Sequence, residues 1–423
     1  MQERELTLLR LTISVGCLML IIWRLAGIFG DAVFVDFLAY YDVTRAIALG
    51  VNPYDLKNLT AYDWAEAPIV YPGYVTMFWL LTQLPIKTAS QVFLLINVIL
   101  CGWLMAAVFF RTGLMTRRSW LRPDRAQVLF MVSCACLFFS SPCMAALRHG
   151  QSSIIIAACL LWVVWPGRAW SGGLVLALAA VLKYTMLPLL VLALLVKRRW
   201  LACLISLVIF VLLSLAPLLF GHNPVQLYTS YVQELTKQTG TGFNTFAVSG
   251  YNMVTLDFLQ SKTAATAVKI LFLLIAVWAI WHERKDRGFG LNFLLLLCCV
   301  SMLVVYNRLY NMVFIEVLLL VKINLCLMRG NYWSVPVPSC FILVLLMPLS
   351  MVLRSANELG EIAMDNSMVH LSSYGDMTTI FPTLSLLMLA ITLYAAAEYT
   401  SRRDDYHFAA ELPSTEDKKD ETV

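Results

Sequence analysis

The stretch V-D-F-L-A-Y-Y-D-V-T-R-A-I-A-L-G-V-N-P-Y, Val35 to Tyr54, follows directly on the first long apolar run of the chain. Asp36 stands just past the end of that run. Phe37, Tyr40 and Tyr41 recur three and four apart, the spacing of one helix face, and a Gly-x-Asn-Pro turn (Gly50 to Pro53) closes the segment. Upstream, Leu11 to Gly30 has the roughly 20 apolar residues that cross a bilayer as a helix. An acidic, aromatic helix set against a spanning helix is the pattern of a polytopic membrane protein with polar chemistry at one membrane surface.

Composition agrees. Of 423 residues, 60% are hydrophobic and only 13% charged, against about half and a quarter in soluble domains. The net charge of +5 comes from short basic clusters between apolar runs. That is the pattern of topology signals, so nucleic-acid binding is set aside. The eleven cysteines lie in or beside apolar segments and read as small apolar fillers. The N-terminal apolar run is too long for a signal-peptide core and reads as an uncleaved first span.

Span lengths and Lys/Arg bias predict an all-α bundle of about twelve crossings with both termini inside. Asp31 to Pro68, rich in carboxylates, belongs outside. Val70 to Ile86 reads as a helix lying in the outer interface, because a crossing there would place the basic loop Arg111 to Arg125 outside. Trp170 to Val196 is long for one crossing and holds Lys183 and Pro188, so it reads as two half-spans meeting at Lys183-Tyr184-Thr185. Residues 1–400 form a single transmembrane domain, 221–262 a long outer loop that is a candidate for acceptor binding, and 401–423 a charged, disordered cytoplasmic tail.

In this topology Asp36, Tyr71, Arg148, His149, Gln151, Lys183 and Arg308 all fall at outer span ends or outer turns, and the inner side has only ordinary basic loops. Charges near the hydrocarbon cost about 2.5–3.5 kcal/mol mid-span and default to functional candidates. Each also has a plainer reading: Asp36 as a helix N-cap, Lys183 as a snorkelling lysine, Arg148 and Arg308 as lipid-phosphate contacts, His149 as a turn residue. Glu316 and Lys269, inside spans, read as structural pairing or snorkelling.

One carboxylate with several cations suits sugar transfer from a lipid phosphate. A single general base activates the acceptor hydroxyl, and Arg, Lys or His meets the charge on the leaving phosphate. Hydrolysis of a glycoside would need two carboxylates. Neither a metal cluster nor a cofactor is implied. A transporter or flippase predicts broken helices in two related halves, and only one is legible, around Lys183. An O-antigen ligase or polymerase, the other outer-face reading, relies mainly on Arg and His in a large late outer loop; Gly221 to Lys262 has His222 but no Arg.

The chain resembles glycosyltransferase family 87. The resemblance rests on Asp36-Phe37 with Tyr40-Tyr41, Gly50-Val51-Asn52-Pro53-Tyr54, Tyr71-Pro72, Gly150-Gln151, and the small-residue stretch from Gly172-Gly173 to Lys183 and Pro188, in order across Val35 to Val196. Where the family commonly has a second proline this chain has Gly73, and Ser152-Ser153 follows Gly150-Gln151. The resemblance implies a GT-C-type bundle with outer-face interfacial helices, whose catalytic module is residues 35–196. It implies a polyprenyl-phosphate sugar as donor, mannosyl or another hexosyl or pentosyl, and a glycolipid or polysaccharide acceptor at the outer face of the inner (plasma) membrane. Asp36 would be the base of an inverting transfer. Lys183 and His149 would contact the donor phosphate; the outer-turn cations Arg148 and Arg308 are further candidates for it from their placement, and Tyr40, Tyr41, Tyr54, Tyr71 and Gln151 are candidates for substrate contact.

Overall fold

The computed structural model describes residues 3–30, 34–61, 67–116, 124–165, 169–183, 187–240, 253–254, 261–285, 288–304, 307–346, 364–365, 368–369 and 381–401. Apart from two antiparallel pairings of two-residue segments, these residues are helices and turns. Helix α1 (Glu3–Gly30) is followed by α2 (Val35–Ala48). Gly50 ends α2 with φ 73°, and the amide of Val51 reaches back to the carbonyl of Ala46 at 3.0 Å. That is the left-handed helix stop that glycine permits without a Cβ clash. The Asn52 side chain then accepts from the amide of Tyr54 at 3.1 Å, which shapes the Asn-Pro turn.

Val70 to Ile86 differs from the interfacial helix the sequence predicts. It is a string of short turns, with 3₁₀ segments at Pro72–Tyr74 and Leu81–Gln83 around a single helical turn, Val75–Phe78. The two prolines at its ends and the anchored aromatics Tyr74 and Phe78 hold this shape, and no element in it is long enough to cross a bilayer.

Helix α3 (Ile86–Arg111) is a long apolar helix. Next, α4 (Arg125–Phe139) and α5 (Ser141–His149) meet at a bend of 57°. Ser140 makes the break: its backbone is extended and its hydroxyl caps the amide of Cys143, one residue past Pro142. The same hydroxyl donates to Glu316 at 2.7 Å, so the buried glutamate is a structural partner of the bend.

Helices α6 (Ser153–Val164), α7 (Ala169–Lys183), α8 (Pro188–Val196) and α9 (Trp200–Leu215) follow. The α7–α8 break falls where Lys183 and Pro188 predict it; Tyr184 and Thr185 lie outside the described residues. Gly173 lets α7 lie directly on α9, because a Cβ there would stand 2.8 Å from the carbonyl oxygen of Ala202.

The predicted outer loop begins instead with α10 (Pro224–Gly240). Its apolar face, Leu227 and Tyr231, is buried, and Tyr228 hydrogen-bonds the carbonyl of Ser214. The sequence carried this helix as Leu227, Tyr228, Tyr231 and Leu235 at helical spacing, hidden in a polar context. Helices α11 (Lys262–His282), α12 (Leu291–Val304), α13 (Val313–Met328), α14 (Pro336–Leu346) and α15 (Phe381–Ser401) complete the chain. Phe243, Asn244, Tyr251, most of the 354–379 loop and the tail from 402 lie outside the described residues.

Among the described residues, four helices are long and apolar enough to cross a membrane (Glu3–Phe29, Ile86–Arg111, Trp200–Phe220 and Thr263–Lys285), and five if the bent pair α4–α5 counts as one span. Several others are shorter apolar helices of 10–17 residues. The protein is a helical membrane protein.

One expectation fails. The end of the bundle away from Asp36 is not limited to ordinary basic loops. Lys197, nearly fully buried, donates to the carbonyls of Glu283 (2.9 Å) and Gly288 (2.8 Å) and lies 3.6 Å from the Glu283 carboxylate. Lys322 lies roughly 14 Å along α13 from Val313 and pairs with Glu398 at 2.9 Å and with Asn292. Hydropathy averaged over a span conceals a single buried lysine whose partner lies on a distant helix.

Candidate active site

The site is built where α2, the α5–α6 turn, the Pro72–Tyr74 segment, the end of α7 and the approach to α13 converge. Asp36 is in the first turn of α2, where a carboxylate favours the helix dipole. Its side chain is 23% exposed, and Oδ2 lies 3.9 Å from Nδ1 of His149, the last residue of α5. A half-open carboxylate beside an imidazole can accept a proton from an approaching hydroxyl.

Gly150 makes this proximity possible. It terminates α5 at φ 65°, and a Cβ there would stand 2.7 Å from Cβ of Phe37 and 2.8 Å from Cβ of Phe34. The Gly-Gln turn is therefore seated against the residues flanking Asp36, and no larger residue fits. One residue on, Gln151 is buried and its Oε1 accepts from the Tyr40 hydroxyl at 2.8 Å. The sequence offers both sets of residues as candidates, and the structure places them in contact.

Tyr74, which the sequence reading did not single out, carries the connection across to α7. Its ring lies 4.9 Å from that of Tyr40, and its hydroxyl donates to the carbonyl of Leu182 at 2.6 Å and approaches Ser152 Oγ at 3.4 Å. Burial pushes its phenol up to about 12; hydrogen bonds with Ser152 and Tyr40 oppose this, and the charge on Asp36 adds to it. The hydroxyl stays protonated at any physiological pH. The neighbouring Lys183 ends α7, where a cation is favoured by the helix carbonyls, and its Nζ donates to Asn311 Oδ1 at 3.0 Å. Ser153, at the start of α6, donates to the same oxygen at 2.9 Å.

The other predicted residues are placed as follows. Arg148 is exposed beside His149. Tyr41 is buried, its hydroxyl donating to the carbonyl of Leu84 at 2.9 Å. Tyr54 donates to the carbonyl of Val70 at 2.6 Å, and burial, reinforced by Tyr231, raises its pKa well above that of a free phenol. Tyr71 bonds Ser214 Oγ at 2.7 Å and stacks on Phe210. Tyr228 and Tyr231 pack their rings against Tyr71 at 5.5 and 5.8 Å. Arg308 pairs through its backbone with Met253; its side chain lies outside the described residues.

Besides Tyr74, two more polar residues lie outside the candidate set drawn from the sequence. Asp42 is buried and its carboxylate accepts from the amides of Thr60 and Ala61, pinning the loop after α2. Asn311 stands three residues past Arg308, the charged residue that the sequence singles out at this turn. Its signal was a polar amide at a span boundary. Among the described residues no group of three or more His, Cys, Asp or Glu side chains is arranged to hold a metal ion.

The model of glycosyltransferase family 87 matches residues 71–306, more than half of the chain. This chain belongs to glycosyltransferase family 87. Comparison with curated proteins and with solved structures gave no match. Membership in family 87 implies a glycosyltransferase, with a sugar donor and acceptor, working at a membrane. The match reaches well past Val196, where the sequence resemblance fades into hydropathy, and begins after Tyr40-Tyr41. Tyr71, His149, Gln151 and Lys183 lie within it. Asp36 lies outside it, so the place of Asp36 in a family 87 site rests on its contacts with His149 and, through Phe37, with Gly150.

Proposed function

We propose that this protein transfers a sugar from a polyprenyl-phosphate donor to the hydroxyl of a glycolipid or polysaccharide acceptor at the outer face of a bacterial inner membrane. The observation that carries the reading is the approach of Asp36 Oδ2 to His149 Nδ1 in a site that also receives the end of α7 with Lys183. The sugar is a mannosyl or another hexosyl or pentosyl group. The charge pattern and the family support a bundle of about twelve crossings of GT-C type with both termini inside.

In this mechanism Asp36 takes the proton of the acceptor hydroxyl. The oxygen attacks the anomeric carbon from the side opposite the phosphate, and the anomeric C–O bond breaks with its electron pair leaving on the phosphate oxygen. The sugar is inverted in a single displacement. A phosphate is a good leaving group, so the step requires cations and no general acid. Lys183 and His149 meet the developing charge, with Arg148 and Arg308 at the edge of the site. Gln151, Tyr40, Tyr41, Tyr54 and Tyr71 shape the walls.

The test is sugar transfer by the purified wild type and Asp36→Asn across a panel of polyprenyl-phosphate sugars, with donor binding measured separately. Asp36→Asn is expected to bind donor normally while turnover falls about 10²–10⁴-fold, the usual contribution of a general base. Equal turnover in the two proteins, or no binding of any lipid-linked sugar, overturns the reading.

A further inference from the structure

We infer that Asn311 is the positioning residue for the Lys183 ammonium: a neutral acceptor that fixes this cation at the site and adds no negative charge against an anionic lipid phosphate. The inference rests on reading Lys183 as a donor-phosphate contact.

Asn311 is buried, in the 3₁₀ segment Leu309–Met312 that leads into α13. Its Oδ1 accepts from Lys183 at 3.0 Å and from Ser153 at 2.9 Å. A carbonyl oxygen has two lone pairs, so both are engaged, and three separate elements (α6, α7 and the approach to α13) meet on one atom. A lysine at the edge of the hydrocarbon has a flexible four-carbon stem and tends to snorkel toward the headgroups. The Asn311 amide restrains it.

The choice of acceptor is informative. At the other end of the bundle, Lys197 and Lys322 rest beside the carboxylates of Glu283 and Glu398, partners suited to holding a buried cation in place. At the site end one acceptor is the Asn311 amide, which orients the ammonium through a hydrogen bond and sets no negative charge against it. Aspartate has the same shape as asparagine and would offer an oxygen to the same two donors while setting a negative charge beside the ammonium. With asparagine, no negative charge is set against the ammonium from this position.

The experiment measures binding of farnesyl phosphate to the full-length protein in detergent. Farnesol serves as the uncharged control and phosphatidylglycerol as a competing lipid phosphate. The proteins are wild type, Lys183→Ala, Asn311→Ala and Asn311→Asp. Expected is a loss of about tenfold or more for Lys183→Ala and Asn311→Asp, a smaller loss for Asn311→Ala, and equal farnesol binding throughout. Asn311→Asp keeps an oxygen that can accept both hydrogen bonds; its melting temperature is measured alongside, and a merely structural Asn311 would leave binding per folded molecule unchanged. Wild-type affinity in Asn311→Asp beside weak binding in Lys183→Ala overturns the Asn311 assignment alone. Wild-type affinity in Lys183→Ala overturns the donor-phosphate reading beneath it. Equal displacement by phosphatidylglycerol shows a general headgroup site and overturns both.

Discussion

The Tyr40 hydroxyl donates to Gln151 Oε1 at 2.8 Å, so the helix that carries Asp36 is tied through its second turn to the turn that carries His149. Both partners are buried. The bond fixes the position of α2 against the α5–α6 turn and thereby the separation of Asp36 from His149.

Removing one partner of such a bond should cost more than removing both. Tyr40→Phe leaves a buried amide oxygen without this donor, a loss of about 1–3 kcal/mol. The double variant Tyr40→Phe/Gln151→Leu removes the stranded polar group and should recover part of that loss. Thermal unfolding of the four proteins in one detergent gives the coupling. Purely additive effects would show that the two residues stabilise the fold independently.

Gly150 should be the least replaceable glycine of those with positive φ. Gly150→Ala meets the left-handed penalty of about 1–2 kcal/mol and also drives a Cβ to 2.7 Å from Cβ of Phe37. Gly330 has φ 73° but open space around its Cβ position, so Gly330→Ala meets only the conformational penalty. The expected order of melting temperatures is wild type, then Gly330→Ala, then Gly150→Ala. Transfer activity should fall sharply in Gly150→Ala alone, because α2 must shift away from His149. Equal behaviour of the two alanine variants would remove Gly150 from the account of the site.

Alkaline pH should destabilise the protein through its buried tyrosines. Burial raises Tyr74 to about 12 and lifts Tyr54 well above an ordinary phenol near 10. Between these values the unfolded chain releases phenol protons that the folded chain retains, so stability is full below about pH 10 and is lost as pH rises toward 12. Melting temperatures of wild type and Tyr74→Phe from pH 8 to 11 test this. The wild type should fall more steeply above pH 10, and parallel curves would show that Tyr74 does not contribute.

Local patterns carried much of this structure. Gly50 before Asn52-Pro53 announced a helix stop, and Lys183 with Pro188 announced a broken helix, because both depend on backbone rules acting over a few residues. Gly150-Gln151 and Asp36-Phe37 were legible as candidates but not as neighbours. Their contact depends on Gly150 having no Cβ against Phe37, a property of the folded backbone. Asn311 and Tyr74 were missed because neutral polar residues at apolar boundaries are common, and only the distances to Lys183 and Leu182 distinguish them. Helix α10 was missed because its apolar face is narrow and is covered by Tyr71, an aromatic from another part of the chain.

The Lys322–Glu398 pair lets the two ends of the molecule be tested separately. Lys322 Nζ, 2.9 Å from Glu398 Oε2, also donates to Asn292, tying α13 to α12 and α15. Lys322 is nearly fully buried, so Glu398→Ala leaves a buried ammonium without this counter-charge. Breaking a buried pair in this way typically costs about 3–5 kcal/mol, whereas replacing both charges with apolar residues is often neutral. Glu398→Ala should therefore lower the melting temperature strongly, and Lys322→Met/Glu398→Leu should restore much of it. Transfer per folded molecule should be unchanged in both, because the pair lies far along α13 from Asn311 and Lys183. A double variant as unstable as Glu398→Ala would mean that the charges hold α15 by more than mutual neutralisation. Loss of turnover in a stable double variant would join this end of the bundle to the site.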